Sequence, residues 1–254
     1  MKKCITVYLV FFSCFLWSQE IIYPKYIYEK DLNSITLEKT EDINFFRYKQ
    51  IQYIGHPQKN INLKYTDNEL HNKILERNYK NSDFIALNKE LNERQYKDLR
   101  IFVDTSQKTP LTITDIDTTK ISNADYNAKM DSLSVGLKLS KEIPFIMTYY
   151  DGFPVTIYNM EGKERVIGFG NNVILELEAL DKNYQWKKIY NFRKYTCGTG
   201  IKFFVLKPKE IATVFEPRLS GNFKTKFRYR LGNILSNEFD GNINDHYLED
   251  AHSF

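Results

Sequence analysis

The chain has 254 residues, with 36 Lys and Arg against 32 Asp and Glu for a formal net charge of +4. That near-balance excludes the strongly basic surface of a general nucleic-acid binder, and four scattered histidines with three cysteines leave no H-E-x-x-H or C-x-x-C metal arrangement. Eighteen Tyr and 18 Phe beside only 2 Trp favour strands, because aromatic side chains suit a pleated, half-buried surface.

The chain opens on Met1-Lys2-Lys3, an apolar run over residues 5–17, and then Ser18-Gln19-Glu20. A positive start, a short apolar stretch and a small residue before a polar switch are the three parts of a secretory signal. The run falls short of the ~20 residues that span a bilayer, so residues 1–18 are expected to be removed after Ser18, although Leu16 is not the small residue the cleavage rule asks for. A rival reading makes Cys14, after Phe11-Phe12-Ser13, a lipidated first residue. Either route sends the chain to the periplasm, the cell surface or the medium. No second long apolar run follows, so no integral span is expected after signal removal. Of the cysteines only Cys197 would then stay, which leaves stability to core burial rather than to an internal disulfide. Cys197 itself reads as a buried small hydrophobe.

Residues 19–140 read as a mixed α+β region. Short strands are expected over 21–28, 35–37, 45–48 and 51–54, with turn residues such as Gly55-His56-Pro57 between them. From Thr66 the period changes. Thr66 and Glu69 suit a capping box, Leu70, Ile74 and Leu75 share one helical face, and Phe84, Leu87, Leu91, Tyr96 and Leu99 form a second stripe, so two short helices are predicted before Leu99. Strands follow over 101–104 and 111–114. The polar stretch 117–133 reads as a loop, and Asp115, Asp117, Asp125 and Asp131 lack the spacing of a calcium loop.

Residues 141–245 carry strand-like runs at 145–149, 154–158, 173–180, 186–190, 201–206, 211–215, 223–231 and 237–239. Turn clusters are expected at Tyr150-Asp151-Gly152, Glu161-Gly162-Lys163, Gly170-Asn171-Asn172, Asp181-Lys182-Asn183 and Ser220-Gly221-Asn222. Strands this short and regular suggest a two-sheet sandwich. Alternation puts Val173, Leu175, Leu177 and Ala179 on one face with Glu176 and Glu178 on the other. Residues 246–254 read as a frayed tail.

The candidate binding residues are Lys224, Lys226, Arg228 and Arg230, which alternate with Phe223, Thr225, Phe227, Tyr229 and Leu231 and so share one face over ~20 Å of strand. Such a row suits an anionic glycan, lipid headgroup or acidic protein. The plainer reading is a solvated outer face that discourages edge pairing, with Glu176 and Glu178 neutralising it across the sheet. Gly168-Phe169-Gly170 and Cys197-Gly198-Thr199-Gly200 match neither phosphate-binding glycine pattern, so no cofactor is expected, and no metal.

Pro154-Val155-Thr156-Ile157-Tyr158-Asn159, Ile167-Gly168-Phe169-Gly170-Asn171, Trp186, Leu206-Lys207-Pro208-Lys209-Glu210 and Gly221-Asn222-Phe223-Lys224-Thr225-Lys226 together resemble bacterial immunoglobulin-like domains of secreted proteins, over roughly residues 143–243. The resemblance implies a β-sandwich without an assigned activity, and the chain lacks the two-cysteine bridge of antibody-type domains. The expectation is therefore a mainly β, exported, non-enzymatic binding or scaffolding module for an envelope protein or glycan. The alternative is a secreted hydrolase with carboxylates such as Asp104, Asp115 or Asp117 assembled between the two regions.

Overall fold

The computed structural model describes residues 21–28, 35–41, 49–63, 67–79, 84–116, 145–189 and 202–249. The leader with Cys14, the strand expected at 45–48, the loop 117–133 and Cys197 lie outside the described residues. In chain order the elements are β1 (Lys25–Tyr28), β2 (Lys49–Gly55), β3 (Asn60–Leu63), α1 (Asp67–Arg77), β4 (Asn78–Tyr79), α2 (Phe84–Glu93), β5 (Leu99–Val103), β6 (Thr109–Ile116) and β7 (Phe145–Asn159). There follow β8 (Arg165–Phe169), β9 (Asn172–Val173), β10 (Glu176–Leu180), β11 (Trp186–Lys188), β12 (Phe203–Leu206), β13 (Ile211–Pro217), β14 (Phe223–Leu231), β15 (Ile234–Leu235), β16 (Phe239–Ile243) and a 3-10 turn (Asp245–Leu248). The chain is mainly β, and the two helices fall where the change of period places them.

The described strands form three sheets: β1 and β3 pair in parallel, and the other two share one core. The larger runs β4-β12-β8-β9-β2-β13-β7-β5, with β6 added along β7, and the smaller runs β11-β10-β14-β15, with β16 on β14. Strands from before and after residue 140 thus interleave in one sheet, with β2 and β5 beside β13 and β7. The main core joins both sheets: Val155, Ile157 and Val214 from the larger meet Leu177, Ala179, Phe227 and Leu231 from the smaller, and the rings of Phe153 and Phe239 lie 5.2 Å apart.

A second cluster, Tyr26, Tyr53, Ile61, Tyr158, Ile211 and Phe215, covers the other face of the larger sheet under β1. There Tyr26 shares hydrogen bonds with Thr156, at 3.1 Å, and with Thr213. Hence β13 is buried on both faces, and its sequence carries almost no polar side to mark an outside. Helix α2 packs Leu87 and Leu91 on a third cluster of Val166, Phe203 and Val205.

Two expectations are corrected. Tyr150-Asp151-Gly152 is not a turn: β7 continues through it for 15 residues, pairing with β6 on its first half and with β13 and β5 on its second. Gly152 is needed there for close approach, since a Cβ would sit 2.2 Å from Leu111 Cδ1 and 2.6 Å from the Glu216 carbonyl oxygen. The alternating run 173–179 is not one strand either. Val173 ends β9 in the larger sheet and Glu176 begins β10 in the smaller, so the chain crosses between sheets at Ile174-Leu175. In addition, the 3-10 turn ties down part of the expected tail by packing Tyr247 and Leu248 against the main core.

A buried asparagine explains part of the sequence pattern in this half. Asn159 is 0% exposed. Its Nδ2 donates to the carbonyls of Lys163 and Leu206, both at 2.9 Å, and its Oδ1 accepts from the Glu161 amide at 3.0 Å. Its backbone exchanges bonds with Glu210 and Lys209 at 2.9 and 2.8 Å. With both donor hydrogens and its oxygen used, the side chain joins the end of β7 to Lys163 ahead of β8 and to the end of β12, while the backbone bonds hold the Lys207-Pro208-Lys209-Glu210 turn, and an apolar residue would strand the carbonyls and amide the side chain satisfies.

Candidate binding surface

The outward face of the smaller sheet is built from β10, β11, β14 and β16. Register places Glu176 opposite Arg230 and Glu178 opposite Arg228, Glu178 opposite Lys188, and Lys224 and Lys226 opposite Asn242 and Asp240. The four cations expected to act together therefore do share a face, and the structure divides them into two pairs.

Arg228 and Arg230 are half-buried and committed. Arg228 Nε donates to Glu178 Oε2 at 2.6 Å, and Arg230 Nε to Oε1 at 2.5 Å. The guanidinium of Arg228 also lies 4.0 Å from the centre of the Trp186 ring, close enough for a cation–π contact. Burial raises the Glu178 carboxyl, but the hydrogen bonds and charges of Arg230 and Arg228 outweigh it and hold the group below the ordinary glutamate value. Glu176 is held in parallel by Arg94 at 3.2 Å and Lys188 at 3.0 Å. Both glutamates are buried, at 5% and 6% exposure, where alternation alone suggests a solvated side.

Lys224 and Lys226 are exposed. Lys226 meets Glu238 at 3.3 Å, whereas Lys224 has no ion-pair partner among the described residues. The β10–β11 turn lifts Tyr184 into solvent at 84% exposure with φ 58°. Asp181 braces that turn by accepting from the amides of Asn183 and Gln185, each at 2.8 Å.

A second polar cluster, with no counterpart in the sequence reading, lies between the sheets. Lys49 on β2 contacts Glu216 on β13, and Tyr229 on β14 donates to the same carboxylate oxygen at 2.9 Å. Glu216 is 1% exposed and its other oxygen has no partner. Burial pushes this carboxyl up, against the opposing pull of Lys49 and Tyr229. A sequence signal existed: Ala212, Val214 and Glu216 share one parity on β13, so the glutamate had to face the same interior as the two aliphatic residues. The cleft next to Tyr229, between Arg218 and Asp240, holds only about 40 Å³, room for water and not for a substrate.

Two residues of the hydrolase alternative have backbones set well apart along the sheet. Asp104 bonds through its amide to the Pro154 carbonyl, while Asp115 pairs with Ile146, eight positions and about 27 Å away along β7. Asp104 is also occupied: its oxygens accept from Ser106 at 2.5 Å and Gln107 at 2.7 Å. These bonds outweigh burial and lower its pKa. Asp117 lies outside the described residues. Among the described residues no group of three or more His, Cys, Asp or Glu could hold a metal ion, and no helix is long and apolar enough to cross a membrane. Compared with family models, curated proteins and solved structures, the chain matches none.

Proposed function

We propose that this chain is an exported, non-enzymatic binding module that engages an anionic envelope glycan or protein through the outward face of its smaller sheet. The observation that carries this reading is the fixed Trp186–Arg228–Glu178–Arg230 array, with the exposed Lys224 on the same strand face. Planar groups already ordered by their own ion pairs lose little freedom when a ligand lies across them. Flat sheet faces with guanidinium edges and an aromatic ring offer both stacking and charge-assisted hydrogen bonds. Export rests on the leader-like residues 1–18.

The test is binding of residues 19–254 to an array of envelope glycans and acidic surface proteins, at low and at physiological salt. A variant with Lys224, Lys226, Arg228 and Arg230 all changed to Ser is expected to lose a salt-sensitive partner. Because the two arginines also hold Glu178, a second variant, Lys224→Ser with Lys226→Ser, keeps the ion pairs intact and is expected to lose part of the same binding. Binding that neither variant changes would overturn the assignment of this face.

A further inference from the structure

On the opposite side of the larger sheet lies a groove of about 350 Å³, within the range of small-ligand sites. We infer that it binds a small amphipathic carboxylate, a single aliphatic chain ending in one acid group.

Four separate stretches make its walls: Ile21 and Ile22 before β1, His56 and Pro57 after β2, Tyr158 and Met160 at the end of β7, and Lys209 in the turn between β12 and β13. Specific bonds hold these stretches together. The Tyr158 hydroxyl donates to the Ile22 carbonyl at 2.9 Å. His56 Nδ1 lies 3.2 Å from the Lys209 carbonyl, and the Lys209 amide donates to Asn159 at 2.8 Å while the Met160 amide donates to Asp98 at 3.0 Å. The groove is thus formed by hydrogen-bonded backbone rather than by loose loops.

Its chemistry is one-ended. Isoleucine, proline, methionine and the tyrosine ring supply an apolar body, and methionine adapts its shape to a chain. The His56 ring nitrogen lies 3.2 Å from the Lys209 carbonyl, which brings the two bases to one stretch of the lining, and among the described residues no carboxylate lines the groove. Among the described lining residues a metal would find no acidic or thiolate ligand, and a sugar would find few free hydrogen-bonding groups, since the Tyr158 hydroxyl already donates to the backbone. An aliphatic chain with one negative end matches both parts, and the volume suits one chain rather than a two-chain lipid.

Lys209 adds a separate pointer. Its φ is 60°, the left-handed region where glycine is at ease, yet the position holds a lysine whose amide and carbonyl are both engaged. A side chain kept at a strained position in the lining motivates a role for that side chain.

The experiment is calorimetric titration of residues 19–254 with decanoate, and with decanol as the uncharged chain of equal length. Saturable one-to-one binding of decanoate is expected, with decanol about tenfold weaker, the loss of one charge-assisted contact. Met160→Trp fills the groove and should abolish binding. Lys209→Gly relieves the backbone while removing the amine, so it should weaken decanoate about tenfold in a protein at least as stable as the parent. No saturable binding of decanoate, or binding that Met160→Trp leaves intact, overturns the site. Equal affinity for decanoate and decanol overturns its anionic half. None of these variants touches the smaller sheet, so failure here leaves the glycan and protein reading to its own test.

Discussion

The two sheets handle charge in opposite ways. Between them Lys49 and Glu216 are paired with side-chain exposures of 6% and 1%, sharing Tyr229. On the outer face of the smaller sheet Glu178 is equally covered at 8%, but its cover is the arginines themselves, with Arg230 at 30%. An interior pair adds little over apolar residues of the same shape, yet it cannot be broken from one side. A pair whose cations reach water can meet a ligand while the pair stays in place. The first arrangement serves the fold, and the second leaves a surface available for binding.

The harshest way to break this contrast is Lys49→Met. It strands a carboxylate in the core and should cost about 3–5 kcal/mol of unfolding free energy in urea melts. Replacing the whole cluster, with Lys49→Met, Glu216→Leu and Tyr229→Phe together, should recover most of that loss. The pH dependence has a definite sign. Burial raises the Glu216 carboxyl, and without Lys49 nothing cationic opposes it. A carboxyl with a raised folded pKa contributes stability that is full below its unfolded value and is lost as pH rises through the folded value. The single variant should therefore lose more at pH 8 than at pH 5. A flat difference across that range would mean the carboxyl reaches solvent after all.

Much of the architecture was legible in periodicity, and the misses share a cause. The helices around Ile74 and Leu87 and the strands at Ile51, Ile101, Ile211 and Phe227 follow from spacing, because spacing states which side of an element is apolar. It does not state which sheet the element joins. The alternation over 173–179 was real, but it continued across a crossover between sheets, and Asp151-Gly152 carried turn composition inside a strand that needed a glycine for close approach. At the candidate surface, parity correctly put Glu176, Glu178 and the four cations on one face. It could not foresee that side chains long enough to reach across strands would bury the two glutamates. Lys49 and Glu216 were missed because each needs its partner from a distant segment, 167 residues away.

A milder break is Glu178→Gln. The depressed folded pKa of this carboxyl, set by Arg230 and Arg228 against burial, contributes stability that is present above the ordinary glutamate value and is lost as pH falls through the folded value. The variant should be less stable than the parent by about 1 kcal/mol near pH 7, a modest figure because both guanidinium groups reach water. The two proteins should converge in acid melts below about pH 4. The orientation of Trp186 gives a second readout, since Arg228 loses the charged partner that holds it over the ring, and the indole emission should shift.

The smallest expected effect sharpens the comparison most. Lys224 and Lys226 are exposed, and the contact of Lys226 with Glu238 at 3.3 Å is open to solvent on both sides. Lys224→Ser with Lys226→Ser should leave stability within about 0.5 kcal/mol of the parent, while lowering the salt dependence of any anionic ligand bound to the face. If the double variant instead unfolds earlier by more than about 1 kcal/mol, the lysines belong with Glu178 and its arginines as part of the fold. The outward face would then be a structural skin rather than a surface kept for a partner. Neutral stability combined with weaker, less salt-sensitive binding separates the two pairs of cations, the arginines that also fix the sheet and the lysines that serve the ligand alone.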